Sequence, residues 1–192
     1  MKYIFILFIP VALGLGSCGS NSEQNGNTTA STNPATPPES KLGEPGTGKL
    51  MDVVKRYFAL KNALVTTKSA EVTSAAGQLA TEATNFLASL QNDSLNKPAL
   101  APYLDTIIAQ SKAITTLTDE SCEQQRIPFE KVSTSIYEMA KKAGLKNARV
   151  YHQYCPMAFN DKGAYWLSNE SDIKNPYFGD KMLECGEVTD SL

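Results

Sequence analysis

The chain has 192 residues, of which 42% are apolar and 20% charged, and its formal net charge is −2. These values suit one ordinary globular domain. Its 18 Lys and Arg are scattered among 20 Asp and Glu, so it lacks the basic stripe that phosphate binding requires, and nucleic acid is not expected as a partner.

Residues 1–17, MKYIFILFIPVALGLGS, carry one early lysine, an apolar run interrupted by Pro10, and small residues directly before Cys18. This is the pattern of an export signal and is too short for a spanning helix. Leu15-Gly16-Ser17-Cys18 resembles a bacterial lipobox. The resemblance implies that Cys18 is lipidated and becomes the first mature residue, anchoring the protein to the membrane without spanning it. The expected location is the bacterial cell envelope, at the outer membrane and facing the periplasm. Residues 18–48 are rich in Ser, Asn, Thr, Gly and Pro and bury too little apolar surface to offset ordering entropy. They read as a tether, whose root-mean-square reach as a flexible coil of ~30 residues is about 30 Å.

Residues 49–192 read as one globular domain, a helical bundle over 49–145 followed by a cap over 146–188. Leu50, Val53, Val54, Tyr57, Leu60 and Leu64 repeat at helical spacing. A second stripe runs through Val72, Ala76, Leu79, Ala83, Phe86, Leu87 and Leu90, and Gln91 to Ser94 form the turn after it. Pro98 suits the first turn of a third helix, which presents Leu100, Leu104, Ile107, Ile108, Ser111, Ile114 and Leu117. The fourth carries Cys122, Phe129, Val132, Ile136, Met139 and Ala143 and stops near Gly144. Pro128 is expected to kink it or divide it near Ile127. Four such segments with short turns predict a mainly α fold, an antiparallel four-helix bundle with a small α+β cap. The bundle has none of the Glu-x-x-His pairs of a di-iron core.

The period changes after Gly144. Ala148 to Tyr154 is β-branched and aromatic, Asn160 to Gly163 is a turn signal, and Ala164 to Leu167 reads as a second short strand, together a β-hairpin. Asn175-Pro176-Tyr177-Phe178-Gly179 is a loop, and Asp180 to Glu184 one helical turn before Cys185-Gly186. The stretch from Tyr151 to Gly186 holds the only histidine, His152, the only tryptophan, Trp166, and 7 of the 16 aromatics. The aromatics are expected to form the core of the cap, with Asn175, Pro176 and Gly179 shaping its loop.

Tyr154-Cys155-Pro156-Met157-Ala158, Gly163-Ala164-Tyr165-Trp166-Leu167-Ser168, Asn175-Pro176-Tyr177-Phe178-Gly179, Met182 and Cys185-Gly186 resemble the signature of domain of unknown function family 3347. The likeness spans about residues 50 to 188, with its specific part in the C-terminal third. Such domains occur as bacterial lipoproteins and attached to periplasmic adaptors of copper and silver efflux pumps. The resemblance therefore implies heavy-metal efflux components as partners. Cys-Pro-Met also resembles the core of a short heavy-metal-binding motif, Tyr-x-Cys-Pro-Met-His, from which the chain departs at Ala158.

In an extended segment Cys155 and Met157 share a side, and on a helical turn Met182 and Cys185 share a face. If the pairs converge, two thiols and two thioethers make a sulfur site suited to Cu(I) or Ag(I). His152 has the opposite strand parity to Cys155 and joins only if the chain bends at Tyr154 or Pro156. The alternative is a Cys155–Cys185 disulfide, favoured by an oxidising compartment, closing a loop of about 30 residues and worth ~3 to 4 kcal/mol. Cys122 reads as a buried small hydrophobe. No nucleophile, base and orienting acid share a recognisable setting, so no enzyme is expected. The chain is thus expected to be a lipoprotein that binds or passes Cu(I) or Ag(I) in heavy-metal homeostasis or efflux. The alternative is a structural or interaction module whose disulfide-braced cap docks on a membrane partner.

Overall fold

The computed structural model describes residues 38–192; the expected export signal, the expected lipidation site Cys18 and most of the expected tether lie outside them. Four helices follow one another: α1 (Gly43–Val65), α2 (Ser69–Ser89), α3 (Asn96–Thr115) and α4 (Glu123–Ala143). The apolar stripes read from spacing are the buried faces. Leu50, Val53, Val54, Tyr57, Leu60 and Leu64 on α1 meet Val72, Ala76, Leu79, Ala83 and Phe86 on α2 in one core. Asp93 starts α3 by accepting the backbone N–H of Leu95 at 3.1 Å and of Asn96 at 2.8 Å, which satisfies donors that a helix N-terminus leaves open. Among the described residues no helix is long and apolar enough to cross a membrane.

Two expectations are corrected at helix ends. The first helix begins at Gly43 rather than near Leu50, because the preceding segment is held by the bundle. Glu39 exchanges backbone bonds with Lys146, Lys41 N–H reaches Ala143 O at 2.8 Å, and the Ser40 and Thr47 hydroxyls share a bond of 2.6 Å. Secondly, the division allowed for near Ile127 is not there: α4 runs through Pro128 as one helix. The proline sits in the second turn, where it costs one backbone bond near the start of the ladder, and its ring is buried. The helix ends as expected at Gly144, with φ 69°, where Leu145 N–H bonds Ala140 O and Gly144 N–H bonds Lys141 O, both at 2.9 Å.

Each helix packs on the next, whereas α1 and α4 touch little; the cap sheet fills the space beside them, with β2 against both. The sheet is antiparallel in the order β2-β1-β3, with β1 Tyr151–Cys155, β2 Ala164–Ser168 and β3 Glu187–Ser191. The expected hairpin is β1 and β2, in a register that sets Cys155 opposite Ala164 and Gln153 opposite Trp166. Its connection is a left-handed turn through Phe159, Asn160 and Asp161, with φ of 53°, 58° and 63°. The third strand, β3, was not expected: all five of its residues are exposed.

Tyr57 keys the sheet into the bundle. Its ring stacks on Phe129 at 5.5 Å, its hydroxyl shares a bond of 2.8 Å with Ser133 Oγ, and it accepts the Leu167 N–H at 3.0 Å. Full burial pushes this phenol well above its ordinary pKa, so it stays neutral as donor and acceptor. Further along the same outer edge of β2, the Tyr177 hydroxyl donates to Tyr165 O.

Candidate functional site

β1 delivers Cys155 at its C-terminal end with its side chain completely buried, and the chain brings half-buried Cys185 back to it. The two sulfurs face each other at 2.7 Å. Cys185 is held by its backbone: its N–H bonds Met182 O at 3.2 Å, and its carbonyl accepts Asn175 Nδ2 at 2.8 Å. Gly186 follows with φ +148° and lies so close to the sheet that a Cβ there would stand 2.7 Å from Tyr154 O and 2.8 Å from the Trp166 ring. Glycine is therefore required at the point where the chain re-enters the sheet. Burial first, then the facing Cys155, pushes the Cys185 thiol up to about 11, against the pull of the Met157 backbone N–H. At neutral pH Cys185 is overwhelmingly in the thiol form, poorly suited to nucleophilic attack.

The structure places Met157 and Met182 by a different backbone geometry from that expected. β1 stops at Cys155 and Met157 lies in the following turn, at φ −86° and ψ −9°. It consequently does not share a strand side with Cys155 and is 47% exposed. The helical turn expected over 180–184 is a 3₁₀ turn limited to Gly179–Lys181, ending at Met182 with φ −151° and ψ 59°, so Met182 and Cys185 share no helix face. Both methionines instead line one groove of about 560 Å³ with Phe159, Tyr177, Phe178 and Arg126. The thiols thus form one pair, and the thioethers line the groove alongside that strand end.

His152 lies on the other face of β1, as strand parity requires. Its ring is sandwiched between Tyr137 at 3.8 Å and Tyr165 at 4.6 Å, parallel to both within 8°. Nδ1 lies 3.3 Å from Thr189 Oγ1. Burial lowers its pKa, with Asp190 opposing and Lys141 adding to that shift. Cys122 is fully buried at the start of α4 in a left-handed conformation, φ 58°. Among the described residues no three His, Cys, Asp or Glu side chains converge as a metal-ligand set.

Two side chains that hold the site had no sequence signal tying them to cysteines. Asn175 is completely buried and bonds both Cys185 O and, through Oδ1, the Tyr177 N–H at 2.8 Å. Arg126, 5% exposed, donates Nε to Pro176 O at 2.8 Å and Nη2 to Leu64 O at 3.2 Å and Thr67 Oγ1 at 3.1 Å. It ties the loop over the groove to the end of α1. Their polarity alone suggests surface or turn positions; long-range contacts decide their burial.

No curated protein and no solved structure matches the chain. A family model, described as Protein of unknown function (DUF3347), matches residues 53–148. The match runs from α1 to the turn after α4 and stops before β1, so it falls on the bundle rather than on the C-terminal motifs where the resemblance was read. It covers half of the sequence, and the chain belongs to the DUF3347 family.

Proposed function

We propose that this protein is a non-enzymatic interaction module of the bacterial cell envelope, held at a membrane through a lipid on Cys18 and presenting a cap braced by a Cys155–Cys185 disulfide to a membrane partner. The observation that carries the brace is the 2.7 Å between the two sulfurs. A metal bound to two thiolates at ~2.3 Å each holds them roughly 4 Å apart, whereas a disulfide needs the pair only to close to about 2 Å. The raised Cys185 thiol argues in the same direction, because a cysteine poor in thiolate is a poor exchange catalyst.

A second reading has its own support. Met157 and Met182 line one groove, the Cys185 N–H bonds Met182 O, and in the reduced state a swing of half-buried Cys185 opens room for a soft ion between the thiols. Cu(I) or Ag(I) is the class that thiols and thioethers select, which fits a role in heavy-metal homeostasis or with efflux components. The deciding experiment maps the cysteines of the exported protein by mass spectrometry without reductant, then titrates the reduced protein with Cu(I) against a chelator. A Cys155–Cys185 cross-link and no Cu(I) uptake sustains the brace. Free thiols that take up one Cu(I), with binding lost in Cys155→Ser and Cys185→Ser and only weakened in Met157→Leu and Met182→Leu, replaces it with the soft-metal reading.

A further inference from the structure

Resting on the reading that Cys155 and Cys185 cross-link as a disulfide, we infer that Asn175 is the positioning residue that sets how readily they do so. The two sulfurs are supported unequally. Cys155 is the last residue of the middle strand, is set opposite Ala164 on β2 and is completely buried. Cys185 lies at the end of an excursion that begins at Asn175, and Asn175 closes the neck of that excursion with four bonds. Its side chain donates Nδ2 to Cys185 O at 2.8 Å and accepts the Tyr177 N–H at Oδ1 at 2.8 Å. Its backbone N–H donates to Leu183 O at 2.7 Å and its carbonyl accepts the Gly179 N–H at 3.1 Å. Three of these organise the excursion, and one, from Nδ2, holds Cys185 itself.

The chemistry of this residue is specific to the task. A carboxylate of the same shape accepts the Tyr177 N–H equally well but offers no donor to Cys185 O, and two acceptors would then face each other in a buried place. Freed from that bond, Cys185 keeps its link to Met182 O and the packing of Gly186, but the carbonyl that fixes its main-chain orientation is released. The 2.7 Å approach of the sulfurs then becomes one of several arrangements, and closing the cross-link must bear the cost of selecting it.

The cross-linking step balances as thiol–disulfide exchange. The two S–H bonds of Cys155 and Cys185 and the S–S bond of a glutathione disulfide break. One protein S–S bond forms, and two reduced glutathiones carry away both protons and both electrons. The test equilibrates the full chain in glutathione buffers of graded ratio, traps thiols by alkylation, and reads Cys155 and Cys185 by peptide mapping. Wild type is compared with Asn175→Asp and Asn175→Ala, and unfolding of each is measured in a Cys155→Ser, Cys185→Ser background.

The equilibrium constant for the cross-link should fall at least tenfold in both variants, about 30 mV for a two-electron couple. The cost of each Asn175 change to stability should be larger with the disulfide-forming cysteines present under oxidising conditions than in the serine background, a non-additivity that a purely structural asparagine lacks. An unchanged constant, or strictly additive costs, overturns the role of Asn175 while leaving the cysteine pair intact. A wild-type chain that never cross-links in any buffer overturns the pair and this inference together.

Discussion

Lys61 is the perturbation from which the structure yields the clearest magnitude. It lies on α1, is 1% exposed, and its ammonium is pushed down from 10.5 to about 8, chiefly by burial. Glu170 opposes that shift but is itself bonded to Lys174, whose charge adds to it. The folded state therefore prefers the neutral amine. Below pH 8 both states hold the proton and folding bears the full cost of lowering the pKa from 10.5 to about 8, roughly 3 kcal/mol. Between pH 8 and 10.5 the unfolded chain still holds a proton that the folded chain has lost, so stability rises with pH there. Lys61→Met keeps the length of the side chain and removes the charge. Urea unfolding at pH 7 should show the variant more stable by about 3 kcal/mol, and at pH 9.5 the gap should narrow to less than half of that. Comparing the two chains at each pH cancels the titration of every other group. A variant less stable than wild type at pH 7, or a gap that does not shrink as pH rises, would refute the reasoning.

Other expected outcomes follow from single features. Gly186→Ala puts a methyl against Tyr154 O and Trp166 at a positive φ, and should lower stability by about 1–3 kcal/mol in urea unfolding. A chain beginning at residue 38 should match the thermal midpoint of the full protein. One beginning at residue 46 loses the three backbone bonds from Glu39 and Lys41 and should be less stable by about 2–3 kcal/mol at ~1 kcal/mol each. His152, whose pKa burial lowers, resists protonation when folded, so stability should fall as pH drops below about 6.5, where the unfolded chain takes up the proton first. His152→Phe keeps a ring between Tyr137 and Tyr165, and equilibrium unfolding at pH 7.5 and 5 should show it losing less stability than wild type on acidification.

The helices were legible because each buries one face, and the spacing of Leu50 to Leu64 or Val72 to Phe86 records that face directly in the residue order. The start of α1 was hidden by Gly43, Glu44, Pro45 and Gly46, whose composition reads as tether; bonds to the end of α4 outweigh that propensity. β3 was hidden for the opposite reason. Glu187 to Ser191 buries nothing, so no alternation marks it, and its existence rests on pairing with β1. At the site, the meeting of Cys155 and Cys185 followed from their bracketing a loop-rich cap, and the isolation of His152 followed from strand parity. The positions of Met157 and Met182 did not, because parity and helix-face arguments hold only while the strand or helix continues, and both elements stop short. Asn175 and Arg126 act through contacts that no local pattern encodes.

The two tyrosine hydroxyls on the outer edge of β2 have a consequence for the protein in company. An edge strand normally offers a row of free backbone donors and acceptors to any other extended chain. Here the Leu167 N–H is occupied by Tyr57 and the Tyr165 carbonyl by Tyr177, so that edge cannot template a neighbour's strand. The opposite edge, β3, is open but carries Glu187 and Asp190, charges that disfavour stacking of like copies. Removing one hydroxyl, as in Tyr57→Phe, leaves the Leu167 N–H unpaired where β2 packs on α1 and α4 and Leu167 is wholly buried. The visible defect would then be a loss of folding stability of about 1–3 kcal/mol, the desolvation cost of one unmatched donor, rather than self-association.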